Sequence, residues 1–204
     1  VSVLMRREPT PEIGKGLAAI DRNVRAQSRI ISDILDVSRI NSGKLTLERE
    51  LVDPAETVTT ALASLRHALE DRQLRLWTAI APGLAPVWLD PARYQQILWN
   101  LVTNAAKFSP AGATIEVLLD SRAGMLRLQV RDQGQGIAPE FLERLFDRFT
   151  QEQSPGKRSH TGLGLGLSIV RQLAELHGGT VVAHSDGPGR GATFTVEIPA
   201  LGAP

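Results

Sequence analysis

Asn100 and Asn104 stand four residues apart in the stretch Gln96–Pro110, and Lys107 follows three residues later. On a helix this spacing puts two carboxamides and an ammonium on one face. Carboxamide oxygens are hard donors that suit Mg²⁺, and an ammonium suits a polyphosphate. Taken alone, the same stripe reads first as the solvated side of an amphipathic helix. Val130–Ile137, VRDQGQGI, places Asp132 at the end of an alternating segment, followed by Gly134 and Gly136. Such glycines allow a sharp turn and close approach of a ligand, and the acid can accept a hydrogen bond from an exocyclic amine such as that of adenine. An ordinary strand-end turn would look the same. Gly162, Gly164 and Gly166 alternate with Leu163, Leu165 and Leu167 and run into a helical segment, which exposes backbone N–H groups at a positive helix end. The run fits neither the dinucleotide-binding glycine fingerprint nor a P-loop. Gly187–Phe194, GPGRGATF, is by itself a hairpin.

The elements that must hold these residues can be read in outline. Ile13, Leu17, Ile20, Val24, Gln27, Ile31 and Ile34 keep a three–four spacing, the seam of a helix packed on other helices, with Gly43 as its stop. Lys44–Val52 alternates weakly and predicts a strand. Asp53-Pro54-Ala55-Glu56 and Asp90-Pro91 are helix starts. Val58, Leu62, Leu65 and Leu69 form one buried stripe; Tyr94, Leu98, Leu101 and Ala105 form the other. Gln73–Ile80 predicts a strand. So do the alternating sets Ile115/Val117/Leu119, Leu126/Leu128/Val130 and Phe194/Val196/Ile198. Helices are expected near Pro139–Phe146 and Leu165–Leu176, with tight turns at Ser121–Gly124 and Gly187–Gly191. The pattern predicts an α+β sandwich, a mixed, mainly antiparallel sheet with helices on one face, preceded by a helical segment. The expected division is a helical segment at 1–43 and a compact domain at 44–204.

Composition excludes several classes of function. Lys and Arg total 23 against 22 Asp and Glu, a net charge of +1, so no global field advertises nucleic acid or an anionic membrane. Cysteine is absent, which removes thiolate metal sites and thiol catalysis. No apolar run is long enough to span a bilayer, and no signal peptide is evident. The chain starts at Val1 rather than Met, as expected of a piece of a longer protein.

In this order the four stretches resemble the N, G1, G2 and G3 boxes of sensor histidine kinases, within a wider group that includes chaperone, topoisomerase and repair ATPases. Phe146-Asp147-Arg148-Phe149 looks like the F box, and Asp33–Lys44, DILDVSRINSGK, looks like the end of the second dimerisation helix of the kinases. The resemblance covers nearly the whole chain from Ile13 to Pro199.

The resemblance implies ATP and Mg²⁺ as cofactors. Asn104 would be the chief Mg²⁺ ligand, with Asn100 close to the same cluster, Lys107 on the phosphates and Phe108 near the adenine. Asp132 would accept the adenine amino hydrogen bond, helped by Thr193 through a water. Gly134, Gly136 and Ile137 would form the wall beside the base. Gly162, Leu163, Gly164, Leu165 and Gly166 would hold the phosphates, and 151–161 would be a lid with Lys157, Arg158 or His160 in reach. The implied reaction sends the γ-phosphoryl group to a histidine and then to an aspartate of a response-regulator receiver domain. The implied assembly is a homodimer through the helical segment, in a cytoplasmic module whose parent can be membrane-anchored. None of His67, His160, His177 and His184 carries the acid–Leu–Arg–Thr–Pro run of a phosphoacceptor. That histidine is expected upstream of Val1, and this chain itself holds no catalytic nucleophile. His177 reads as a helix-end residue opposing the dipole. The alternative is a stand-alone ATPase or regulatory module of the same fold.

Overall fold

The computed structural model describes residues 11–150 and 163–200. They form two compact units, one carrying the first helix and running to Leu45, the other beginning at Thr46. The first helix, α1 (Pro11–Asn41), ends where Gly43 adopts φ +62° and the Lys44 amide donates to the Arg39 carbonyl at 2.8 Å. Its seam positions Ile13, Ile20, Val24, Ile31 and Ile34 are exposed. No helix among the described residues is long and apolar enough to cross a membrane.

The second unit is built on a five-stranded sheet of β2 (Arg75–Ile80), β4 (Thr114–Arg122), β5 (Met125–Asp132), β6 (Thr180–His184) and β7 (Ala192–Pro199), in the order β2-β4-β5-β7-β6. The β2–β4 pair is parallel and the other pairs are antiparallel. Alternation decides which face is covered. Val117, Val130 and Phe194 lie in one cross-strand row, and Leu119, Leu128 and Val196 in the next; all are buried. The opposite face carries polar pairs: Arg127 grips Asp120 with two bonds of 3.0 and 2.6 Å, and Gln129 donates to Thr195. Helices α2 (Pro54–Glu70), α3 (Pro91–Phe108) and α5 (Gly166–Leu176) supply the apolar cover, with α3 packed between the other two. The sheet is thus mixed and mainly antiparallel with helices on one face, as the alternation predicts.

Both Asp-Pro helix starts hold. The Asp53 carboxylate accepts from the Ala55 amide at 2.8 Å, and Asp90 Oδ1 accepts from the Arg93 amide at 3.0 Å. Two expected elements shrink. Of Lys44–Val52 only β1 (Glu50–Val52) is a strand, paired with β3 (Val87–Leu89) in a separate ribbon. The helix expected at Pro139–Phe146 is a single turn, α4 (Pro139–Leu142). Ala138 gives it no side-chain cap, and the Arg144, Leu145 and Asp147 amides bond three residues back, which tightens the chain away from α-helical pitch.

His177 caps the C-terminal end of α5, as the sequence predicts. It is buried there. Its Nδ1 lies 2.8 Å from the Leu173 carbonyl, while Nε2 accepts from the Asp90 amide at 3.1 Å. That pair of partners requires the neutral Nδ1–H tautomer. Asp90 Oδ2 also accepts from the Glu48 amide at 3.0 Å, so one node ties the end of α5, the start of α3 and the approach to β1. Burial lowers the His177 pKa below its usual value; nearby Arg49 adds to the effect, while the Leu173 bond and Asp90 oppose it.

Two outcomes follow for stability. The folded state binds fewer protons than the unfolded one at His177, so its contribution is complete above the unfolded value of about 6.5 and is lost as pH falls from there through the lower folded value. Urea titrations from pH 8 to 5 should show that decline. His177→Gln should start about 1–2 kcal/mol lower at pH 8 and lose the slope. The β4–β5 loop places Ala123 at φ +52° and Gly124 at φ +78°, a two-residue turn that disfavours a Cβ at its first position. Ala123→Gly should therefore raise the unfolding free energy by roughly 0.5–1 kcal/mol, read from the urea midpoint.

Candidate nucleotide site

Three chain segments meet at the end of β5. Asp132 is 7% exposed, and its Oδ1 accepts from the Gly134 amide at 2.8 Å and the Ala192 amide at 3.2 Å. Burial raises its pKa, and those two amides partly offset the rise. The loop after β5 closes on the β6–β7 hairpin through backbone contacts at its glycines. The Gly189 amide donates to the Gln135 carbonyl at 2.6 Å, and the Gly191 amide to the Gly134 carbonyl at 3.2 Å. A Cβ on Gly136 would fall 2.0 Å from the Gly187 carbonyl oxygen, and one on Gly191 would fall 2.1 Å from that of Asp132. Gly134 faces the end of α3 in the same way: its Cβ would sit 2.7 Å from the Phe108 carbonyl oxygen, which also accepts from the Gln135 amide. These glycines serve loop packing before they serve any ligand.

Along α3 the polar stripe runs from Asn100, 6% exposed, through half-buried Asn104 to half-buried Lys107. Burial lowers the Lys107 pKa, and its ammonium lies 4.8 Å from the centre of the Phe108 ring. The start of α5 faces this stripe: a Cβ on Gly166 would lie 3.7 Å from Asn100 Oδ1. Among the described residues no side chain caps α5, and the Ser168 hydroxyl turns back to the Leu165 carbonyl at 2.8 Å; a helix start of this kind can offer its first-turn amides to an anion. Leu165 is buried and Leu163 exposed. Gly164, at φ +69°, meets the F-box stretch: the Phe149 amide donates to its carbonyl at 3.1 Å, and a Cβ on it would approach the Thr150 carbonyl oxygen at 2.8 Å. The Arg148 guanidinium donates to the Gln172 carboxamide on α5. Gly162, Lys157, Arg158 and His160 lie outside the described residues.

Thr193 is not brought to the site. The antiparallel register sets Asp132 opposite Ala192 and Arg131 opposite Thr193, so the Thr193 side chain leaves on the other face of the sheet. The contribution of this strand to Asp132 is the Ala192 N–H. Ser185 was not singled out by the sequence reading, yet its hydroxyl accepts from the Ile137 amide at 3.0 Å. A single serine ahead of a glycine hairpin carries no spacing signal that would have found it.

A hard divalent cation fits this donor set. Among the described residues no group of three carboxylates or histidines could cage a metal, whereas the α3 carboxamides offer the few neutral oxygens that Mg²⁺ accepts beside phosphate and water.

The sequence profile of the histidine kinase-, DNA gyrase B-, and HSP90-like ATPases matches residues 89–202. The histidine protein kinase DivJ of Caulobacter vibrioides is 39% identical over 175 residues, covering 86% of this chain and 29% of that protein. The sensor histidine kinase RcsC of Escherichia coli is 38% identical over 205 residues, covering 95% of this chain and 21% of that protein. This chain therefore spans less than a third of the length of those curated relatives. Among solved structures, full-length ShkA in complex with AMPPNP superposes with a TM-score of 0.79 at 27% identity, covering 98% of this chain and 42% of that one.

Asp132 gives this geometry a test. Its raised pKa means that the ionised carboxylate costs folding stability as pH rises through the folded value, a cost absent from a side chain that cannot ionise. Asp132→Asn keeps an oxygen for both amides. At pH 7 without nucleotide it should melt no lower than the parent, while its affinity for a fluorescent ATP analogue falls on the order of a hundredfold.

Proposed function

We propose, from the premise that this chain belongs to the family of histidine kinase-, DNA gyrase B-, and HSP90-like ATPases, that it is the ATP-binding catalytic module of a sensor histidine kinase. The observation that carries the reading is that three features are set along α3. They are a buried carboxylate at one end, a carboxamide–ammonium stripe along the helix, and the uncapped amides of α5 against Asn100. Asp132 takes the adenine amino group, the glycine loops and Ile137 flank the base, and Phe108 packs near it. Lys107 and the first-turn amides of α5, with Gly164 and Gly166, hold the phosphates. Asn104 and Asn100 hold Mg²⁺, which when bound neutralises developing charge on the phosphate oxygens.

In this reading the chain positions ATP and stabilises charge, and the nucleophile comes from elsewhere. The γ-phosphoryl group passes to a histidine outside these residues and onward to an aspartate of a response-regulator receiver domain. His177 is buried and hydrogen-bonded through both ring nitrogens, and His67 and His184 are exposed far from any phosphoacceptor sequence. The exposed three–four seam of α1 serves homodimerisation, with a second copy covering Ile13, Ile20, Val24, Ile31 and Ile34. The division into a dimerisation segment at 1–43 and a catalytic domain at 44–204 belongs to the same reading. So does a cytoplasmic setting, where ATP is available. A stand-alone ATPase would need a carboxylate on α3 to activate water, and that helix carries Gln95 and Gln96 in its first turns.

Titration with a fluorescent ATP analogue should show Mg²⁺-dependent binding that Asn104→Ala abolishes. Mixed with a longer version of the protein that carries a phosphoacceptor helix, this chain should produce acid-labile phosphohistidine. Release of inorganic phosphate alone would favour the ATPase.

A further inference from the structure

Ser185 sits at the end of β6, outside every glycine stretch that the sequence singles out. Its hydroxyl accepts from the Ile137 amide at 3.0 Å and the Gly187 amide at 3.3 Å, and it donates to the Gly191 carbonyl at 2.6 Å. One donor and two acceptor sites are all a hydroxyl has, and each is used. Those three partners belong to the two loops that interlock at Asp132. Ile137 ends the loop after β5. Gly187 and Gly191 bracket the hairpin whose next residue, Ala192, donates to the Asp132 carboxylate. The remaining bonds between these loops are backbone to backbone, at Gln135–Gly189 and Gly134–Gly191. Ser185 is the side chain that pins the far end of the loop, at buried Ile137, to the hairpin.

We propose that Ser185 is a positioning residue for base recognition, its hydroxyl fixing the Gly134–Ile137 loop on the Gly187–Gly191 hairpin so that Asp132 and Ile137 meet the purine at a set distance. The assignment rests on the reading of Asp132 as the acceptor for the base. A carboxylate accepts from the exocyclic amine of adenine and repels the carbonyl oxygen that guanine presents at the same place. Discrimination between the two depends on how rigidly the carboxylate and the opposing wall are held. Without the hydroxyl, the Ile137 amide and the Gly191 carbonyl lose their partner and the loop is free to shift.

The test compares fluorescent ATP and GTP analogues on the full chain, its Ser185→Ala variant and its Asp132→Asn variant. Ser185→Ala should bind the ATP analogue about tenfold more weakly, with GTP little changed, so the preference for ATP falls by about the same factor. A variant that melts earlier yet keeps the ATP-to-GTP ratio within twofold would reduce Ser185 to a structural role and overturn the assignment. Hydrogen exchange at the Ile137 amide of the unmodified chain gives a readout that needs no variant. Protection of ~100-fold or more over a free amide is expected, and exchange at free-amide rates overturns the proposal. An unchanged ratio in Asp132→Asn would instead bring down the site reading itself. An unchanged ratio in Ser185→Ala alone, with Asp132→Asn impaired, removes only the role of Ser185.

Discussion

A carboxylate withdrawn from water at the end of β5 sets the terms for what surrounds it. Desolvation of a charged Asp132 is costly, and two backbone amides supply the compensation. One amide comes from two residues along the same chain, the other from a strand 60 residues later. Both can reach Oδ1 only if two loops approach to backbone contact, and backbone contact excludes side chains. The glycines at 136 and 191 follow from that requirement, with Cβ clearances of 2.0 and 2.1 Å to carbonyl oxygens, and Gly134 meets the end of α3 as closely, at 2.7 Å from the Phe108 carbonyl oxygen. Their place in the candidate nucleotide site is thus a by-product of holding one acid in position.

Helix α3 transmits this geometry to the rest of the site. Its buried stripe, with Tyr94, Leu98, Leu101 and Ala105, locks it between α2 and α5. Its capping residue Asp90 is held in turn by His177 at the end of α5 and by the Glu48 amide. Its last carbonyls are engaged from both sides: Arg72 donates to Ala106 at 2.8 Å, and the loop after Asp132 donates to Phe108. A rod fixed at both ends and along one face can present Asn100, Asn104 and Lys107 in fixed register. Fold and site are in this sense one set of interactions.

Local signals made much of this legible in the sequence. Asp-Pro caps fix helix starts because the carboxylate and its amides lie within three residues of each other, and the alternation of β4, β5 and β7 reflects one covered face. What depended on distant partners was not legible. The tautomer of His177 is set by an amide 87 residues away, and the role of Ser185 by one 48 residues away. The strands β1 and β3 are three residues each, too short to alternate, and exist because they pair with each other. The parallel placement of β2 beside β4 needs a crossover through β3 and α3 that no local pattern announces. Thr193 is a different case. Strand parity from Asp132 and its partner Ala192 excludes it from the pocket, but the pairing register had to be known first. The family resemblance supplied the candidate site residues; the backbone register sets Asp132 and Thr193 on opposite faces.

The interlocked glycines also have a bearing on how this pocket can change over generations or be redesigned. Positions 134, 136 and 191 admit no side chain without moving a main-chain carbonyl, so mutation there unmakes the scaffold instead of altering preference. Ile137, Ser185 and Ala192 are bonded into the same interlock and do carry a Cβ, so the accessible variation lies with them. A lineage exploring other cofactors would walk through those three addresses. The glycine interlock would stay silent to selection for anything except folding.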